Sequence, residues 1–128
     1  MSTTIFESTT YRTYLRERLG NPHQRTGRKL AAAQFIGCHS GYLTRVLKED
    51  THLSLEQADR FNEFIGHTES EARFFLLTVQ KDRAATTTLR DHFAKQINEI
   101  REQRTRLHHR LEEKRILSAE DESRYYSQ

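Results

Sequence analysis

The sequence predicts an all-α protein, in which a five-helix bundle is followed by a long C-terminal helix. Apolar residues recur at helical spacing through residues 1–84, and no stretch shows the alternation typical of a β-strand. Capping residues, glycine or proline separate these segments. From Leu89 to about Leu117 the chain has neither glycine nor proline. We therefore divide it into residues 1–84, the bundle, and residues 85–128, a helical arm.

The first helix is predicted over Thr9–Leu19, because apolar residues recur there every four positions. Gly20, Asn21 and Pro22 end it, since the first two suit a left-handed cap and proline cannot continue a helix. Its outward positions are assigned to arginines, namely Arg12, Arg16 and Arg18.

Two short helices are predicted over Arg28–Phe35 and Ser40–Leu47, on either side of Gly37. Glycine often follows a helix, where the chain adopts a positive φ. Ala33 is a small residue where the second helix would press on the first. The buried face of the second helix would comprise Leu43, Val46 and Leu47. This is the helix-turn-helix pattern, whose second helix enters the major groove of DNA.

Two capping boxes, Ser54 with Gln57 and Thr68 with Glu71, predict the starts of the fourth and fifth helices. Gly66 ends the fourth helix. The buried positions of the fourth helix are predicted to be Leu55, Ala58, Phe61 and Ile65. Those of the fifth are predicted to be Ala72, Phe75, Leu76 and Val79, with Phe74 and Leu77 beside them.

The segment KLAAAQFIGCHSGYLTRVLK, residues 29–48, resembles the Cro/cI-type, lambda-repressor-like regulators of bacteria and phage. Ala33 matches the small residue of their first helix, Gly37 matches the turn glycine, and Leu43 and Val46 match two buried positions of the recognition helix. The resemblance implies that Lys29 lies near a phosphate. It also implies that four residues face the groove: Ser40, Gly41, Tyr42 and Arg45.

A second resemblance covers nearly the whole chain. The order of YRTYLRERL, the helix-turn-helix, LSLEQADRF and ESEARFFLLTVQKDRA is similar to a poorly characterised family of bacterial regulators. In that family a further domain follows, whereas this chain ends at Gln128 where that domain would begin. The chain is therefore expected to be a fragment or a shortened member.

Basic residues are concentrated around the helix-turn-helix. Ser8 to Lys48 holds eight basic residues and one acid, whereas Thr51 to Thr88 holds four basic and six acidic residues. Such a distribution is the electrostatic footprint expected of a protein that binds a polyanion. The alternative is a solvated basic surface with no partner.

Several classes of protein are not indicated. No apolar run approaches eighteen residues and the N-terminus lacks the pattern of a signal peptide, so we expect no membrane partner. A single cysteine, Cys38, fits a reducing compartment, which indicates the cytoplasm. No phosphate-binding glycine loop or nucleophile motif is present, and the histidines are scattered, so we expect no enzyme, no metal and no cofactor. A redox role for Cys38 is less favoured than a half-buried turn residue.

The long helix carries one apolar stripe on a highly charged surface. The stripe is predicted to mediate dimerisation and comprises Phe93, Ile97, Ile100, Leu107 and Leu111, with Arg104 interrupting it. The alternative is that the helix packs on its own bundle or on a missing domain. Ser118 and Asp121 predict a last short helix over residues 119–126.

These features predict a sequence-specific transcriptional regulator that binds double-stranded DNA as a homodimer. The predicted DNA-binding residues are Arg28, Lys29, His39, Ser40, Gly41, Tyr42, Thr44, Arg45 and Lys48. Arg45 is the best candidate for a bidentate contact to guanine. The alternative is a protein-interaction adaptor that uses the bundle and the long helix without DNA. An RNA-binding function has no support, because no aromatic-rich sheet pattern is present.

Overall fold

The computed structural model describes residues 4–24 and 26–126, with side chains as far as Ala119. The described chain is all-α, as predicted, and holds no strand. A short 3-10 helix, Ile5–Glu7, precedes six α-helices. They are α1 (Tyr11–Leu19), α2 (Gly27–Ile36), α3 (Ser40–Leu47), α4 (Leu55–Ile65), α5 (Glu69–Arg83) and α6 (Thr87–Tyr126).

The predicted capping residues define most helix starts. The Thr10 side chain accepts a hydrogen bond from the backbone N–H of Thr13 and caps α1, which begins two residues later than expected, at Tyr11. Both capping boxes are present: Ser54 with Gln57 begins α4, and Thr68 with Glu71 begins α5. Each box satisfies two N–H groups that the first turn of a helix would otherwise leave unpaired.

The core of the bundle is built mainly from aromatic side chains. Phe61 and Phe75 stack with their ring centroids 5.2 Å apart, and Tyr11 and Tyr14 are both within 6.3 Å of Phe75 by the same measure. Packed pairs of this kind stabilise a fold beyond the area they bury. The fully buried aliphatic residues around them include Leu15, Leu19, Leu43, Val46, Leu47 and Leu53.

The core differs from the prediction at several positions, and Ile65, Ala72 and Leu76 are half-buried rather than buried. Leu55, expected in the buried stripe of α4, is 42% exposed, because it is the first residue of its helix and lies at the end of the stripe. The 3-10 helix was not predicted, yet it buries Ile5 and Phe6, and Phe6 packs on Phe74 with ring centroids 5.0 Å apart. A three-residue element has too few positions to show a periodicity.

The chain separates into two compact units, residues 1–97 and residues 98–128, and the boundary falls within α6. The expected boundary after residue 84 is therefore earlier than the one in the structure. Ile97 is buried in the first unit, with 3% of its surface exposed. In the second unit, every side chain from residue 102 to residue 119 is exposed.

The separate helix expected over residues 119–126 is wrong, because α6 continues through Ser118 to Tyr126. Nothing in this stretch obliges the backbone to leave the helix, since it lacks glycine and proline. None of the described helices has an apolar stretch long enough to cross a bilayer.

Candidate functional site

The turn between α2 and α3 has the geometry that its sequence predicts. Gly37 adopts a left-handed conformation with φ of 86° and closes α2. The backbone N–H groups of Gly37 and Cys38 both donate to the carbonyl oxygen of Ala33, at 2.9 and 3.0 Å. Ala33 is buried, with 1% of its surface exposed. The pair of helices is thus joined by three residues, and α3 begins at Ser40 as expected.

Helix α3 is two-sided. Leu43, Val46 and Leu47 are completely buried in the bundle core. Ser40, Gly41 and Arg45 are exposed, and Thr44 is half-buried. The two residues that flank the helix, His39 and Lys48, are also exposed. Of the residues predicted to contact DNA, these six therefore share one accessible surface.

Two arginines of α1 hold the C-terminal end of α3. The Nε group of Arg12 donates to the carbonyl oxygen of Val46 at 2.9 Å, and that of Arg16 donates to the carbonyl oxygen of Leu47 at 3.0 Å. An Nη group of Arg12 also donates to the carbonyl oxygen of Thr51 at 2.7 Å. The bond to Leu47 satisfies a carbonyl group of the last turn, and the bond to Val46 adds to the one that this carbonyl accepts from the backbone N–H of Glu49. Both place positive charge at the negative end of the helix.

The outward orientation predicted for Arg12 and Arg16 is therefore wrong. Both side chains are half-buried and lie between α1 and α3. The error has a physical reason, since helical periodicity separates polar from apolar positions but does not show that a long polar side chain has a buried partner.

Tyr42, which was expected to face the groove, makes a hydrogen bond within the protein. Its side chain is half-buried, and its hydroxyl donates to the carbonyl oxygen of His52 at 2.6 Å. The hydroxyl thus fixes α3 to the loop before α4. Its proton is thus donated within the protein, and the expected position of Tyr42 facing the groove stays a prediction.

Lys29, predicted to lie near a phosphate, has a mostly buried side chain. Only 6% of the side chain is exposed, and its ammonium group donates to the carbonyl oxygen of Pro22 at 3.3 Å. Lysine stems are apolar enough to pack inside a fold while the charged end reaches a polar partner. Arg28, the next residue along the chain, is exposed. Of the two adjacent basic residues, Arg28 is therefore the more exposed, while Lys29 lines the depression between α2 and α3.

A depression of about 600 Å³ lies between the N-terminal ends of α2 and α3. Gly27 and Gly41 both line it, and a Cβ atom added to either glycine would meet nothing within 4 Å. Neither glycine has a positive φ. Their lack of a side chain is therefore required neither by the backbone nor by packing, and it leaves both helix ends open to close approach by a ligand.

Cys38 shows no sign of an activated thiol. Burial raises the pKa of Cys38, which keeps the thiol protonated. Among the described residues, no group of three or more His, Cys, Asp or Glu side chains is arranged to hold a metal ion.

Two histidines are held in their neutral form on the inner side of the bundle. The ring of His52 accepts at Nδ1 from the guanidinium of Arg12 at 3.1 Å, and the hydroxyl of Tyr11 lies 2.9 Å from the same atom. Burial, together with the charges of Arg12 and Arg83, lowers the pKa of His52. Burial also raises the pKa of Tyr11 to about 12. His52 thus belongs to the network that positions α3, although the sequence did not single it out.

His67 lies in a second network at the end of α4. Its Nδ1 is 2.7 Å from Oδ1 of Asn62, whose amide nitrogen donates to the carbonyl oxygen of Ala72. The Oδ1 atom can only accept, so Nδ1 of His67 carries the proton and Nε2 accepts from the hydroxyl of Tyr14 at 2.7 Å. Burial lowers the pKa of His67, and the charge of Glu71 opposes this shift.

The residues predicted to mediate dimerisation do not form one accessible surface. Ile97 is buried in the first unit and Phe93 is half-buried, so this part of the stripe is not free to pair with another chain. Ile100 is half-buried, whereas Leu107 and Leu111 are 57% and 58% exposed. The beginning of α6 therefore fits the alternative in which the helix packs on its own bundle. Only the later part of α6 is accessible to a partner.

No family model matches the sequence, and neither a curated protein nor a solved structure matches it.

Proposed function

We propose that this protein is a sequence-specific regulator of transcription that binds double-stranded DNA through α2 and α3 and acts as a homodimer. The observation that carries the proposal is the two-sided character of α3. Its apolar side is buried at Leu43, Val46 and Leu47, while its other side presents Ser40, Gly41 and Arg45 to solvent. A recognition helix needs both properties, since it must be fixed in the domain and must also offer side chains to base edges.

The attachment of α3 supports the same proposal. Its C-terminal end is fixed by Arg12 and Arg16, whereas its N-terminal end lies at the open depression beside Gly41. In helix-turn-helix proteins the N-terminal residues of the recognition helix contact the bases. A firmly held far end keeps those residues in one orientation and reduces the entropy lost on binding.

Charge supports the proposal as well. Arg28, Arg45 and Lys48 are exposed at or near the two helices, and each can meet a phosphate or a base. In this proposal Arg45 reads a guanine, while Arg28 and Lys48 bind the phosphate backbone on either side of the groove. Two copies related by a two-fold axis would read half-sites about one helical turn apart. We also propose a cytoplasmic location, where Cys38 would remain a free thiol.

The experiment that tests the proposal is selection of bound sequences from a random pool of DNA duplexes, followed by titration of the selected site. We expect enrichment of a two-fold symmetric site, with affinity that falls steeply as salt is raised. The matched control is the Arg45→Ala variant, which should enrich a more degenerate site from the same pool. Failure to enrich any sequence, together with negligible affinity at low salt, would contradict the proposal.

A protein-interaction adaptor is the second candidate, and one observation favours it. The second unit exposes Leu107, Leu111, Ile116 and Leu117 along a helix with no described partner in that unit. Exposed apolar side chains that recur along a helix are typical of a docking surface. An adaptor would give no salt-dependent binding to mixed genomic DNA at low salt, whereas a regulator would bind it. The salt titration therefore distinguishes a regulator from an adaptor.

A further inference from the structure

The first unit carries an exposed aromatic side chain among acidic groups, away from the α3 surface. Phe35, at the C-terminal end of α2, is 46% exposed and packs against Phe64 with ring centroids 5.7 Å apart. A shallow depression of about 560 Å³ beside it is lined by Phe35 and by four charged residues of α4: Glu56, Asp59, Arg60 and Glu63. We call Phe35, Phe64 and these four residues, three acidic and one basic, the acidic phenylalanine surface.

The second unit carries a surface of opposite charge. Leu107 and Leu111 lie one turn apart on α6 and are both more than half exposed. At about 100° per residue, every charged residue of residues 98–119 that falls within about 80° of the line between them is basic. These residues are Arg104, Arg110, Lys114 and Arg115, and with the two leucines they form what we call the basic leucine face. The nearby acids Glu102, Glu112 and Glu113 fall on the far side of the helix.

This charge pattern disfavours pairing of the basic leucine face with itself. In a two-stranded coiled coil along this stripe, Arg104 and Lys114 would occupy contact positions, and Arg110 would face Arg115 of the other helix at the flanks. These like charges would repel each other across the interface. Their mutual contact would also not compensate for the free energy lost when the charged groups are removed from water. The favoured partner is therefore a surface that combines apolar area with carboxylates.

We propose that the basic leucine face of one copy docks on the acidic phenylalanine surface of a second copy. Leu107 and Leu111 would cover the exposed ring of Phe35, and the flanking arginines would meet the carboxylates of Asp59 and Glu63. Each copy carries both surfaces. We take the contact to be reciprocal, because two-fold dimers are the commonest closed assemblies. This inference rests on the homodimer of the proposed function and replaces the stripe-to-stripe contact with a contact between unlike surfaces.

The test is sedimentation velocity over a range of concentrations on the full chain and on charge-reversed variants. The first variant, Asp59→Lys with Glu63→Lys, changes two exposed residues of the acidic phenylalanine surface. The second, Arg110→Glu with Lys114→Glu, changes the basic leucine face. We expect each variant alone to raise the dimer dissociation constant by about tenfold or more, and the chain with all four changes to dimerise again to within about threefold of the parent.

Other arrangements give different results in the same experiment. If the helices paired stripe to stripe, the second variant would tighten the dimer by relieving repulsion and the first would have no effect. If the two surfaces met within one chain, or if their partner were another protein, the parent would sediment as a monomer at tens of micromolar. Any of these outcomes would overturn the inference.

Two controls complete the design. Glu7→Lys with Glu17→Lys reverses two exposed charges elsewhere on the first unit and should leave the dimer unchanged. Far-ultraviolet circular dichroism of each variant checks that the helices are intact. DNA binding is measured in parallel. A monomeric parent with salt-dependent DNA affinity contradicts this inference and the proposed homodimer but leaves the DNA-binding function standing, whereas a dimer without DNA affinity contradicts only the DNA-binding function.

Discussion

The hydroxyl of Tyr42 donates a hydrogen bond to the carbonyl oxygen of His52, 2.6 Å away, and so joins the exposed part of α3 to the loop before α4. A residue on the candidate DNA surface thereby has a structural role. The bond is half-buried, and loss of one partner leaves a carbonyl group without its donor.

We therefore expect Tyr42→Phe to lower the free energy of unfolding by about 0.5–1.5 kcal/mol, as measured by urea denaturation. Because the hydroxyl proton is donated within the protein, affinity for a selected DNA site and for random DNA should change by the same factor. A loss confined to the selected site would instead assign the hydroxyl to base recognition.

Arg45 differs from Tyr42, since its side chain is exposed on the same helix. We expect Arg45→Ala to weaken binding to the selected site by about 1–3 kcal/mol and to relax one base position, because a bidentate contact to guanine would be lost. Fluorescence anisotropy with a panel of single-base variants of the site measures both effects. Equal losses on selected and random DNA would mean that Arg45 contacts a phosphate.

Arg28 and Lys29 form a matched pair, one exposed and the other buried. If Arg28 contacts a phosphate, Arg28→Ala should lower affinity for all DNA sequences. It should also reduce the slope of log affinity against log salt concentration by about one. Lys29→Ala should leave the salt dependence unchanged and lower stability by about 1 kcal/mol, because the buried stem and its bond to Pro22 are lost. A reduced salt dependence for Lys29→Ala would restore it to the interface.

The helices that the sequence predicted accurately are those determined by local chemistry. The bounds of α3 agree at both ends, and both capping boxes form as expected. In each case the determining residues lie within a few positions of one another, so the physical cause is visible in the sequence itself. Gly37 belongs to the same class, because its positive φ is required by the turn that it makes.

Contacts between distant segments were not predictable in the same way. Arg12 reaches the carbonyl oxygen of Val46 from another helix, and the sequence around Arg12 contains no sign of that partner. Lys29 was misjudged for a related reason, since a buried stem and a solvated one have the same local pattern. Periodicity along α6 likewise shows a stripe without showing that Ile97 is already covered.

The two half-buried histidines, His52 and His67, predict a loss of stability in mild acid. Burial lowers the pKa of both His52 and His67, so the unfolded chain takes up protons near pH 6.5 while the folded chain does not. The unfolded state binds more protons in that range, and the free energy of unfolding therefore falls as pH drops below about 6.5. Above that pH these two groups contribute no further change.

Urea denaturation at pH 7.5, 6.5 and 5.5 measures this dependence. The comparison variant, His52→Gln with His67→Gln, should be less stable at pH 7.5 but show a weaker dependence on pH. The variant is needed because burial raises the pKa of Asp82, whose protonation in the folded state opposes the histidine effect as the pH falls. An identical pH dependence in parent and variant would show that other groups are responsible.

Ile97 and Leu107 lie on the same predicted stripe of α6 but in opposite environments, with exposed fractions of 3% and 57%. We expect Ile97→Ala to lower the free energy of unfolding of the first unit by about 2–5 kcal/mol, because it leaves a cavity in a packed core. Leu107→Ala should change that energy by less than about 0.5 kcal/mol, since an exposed side chain has little packing to lose.

Tyrosine fluorescence during urea denaturation reports on the first unit, which buries Tyr11 and Tyr14. The measurement is made at a concentration where the chain is monomeric, so that any effect of Leu107 on association does not enter. Equal effects of the two changes would mean that the stripe acts as one surface throughout, as the heptad pattern alone predicts.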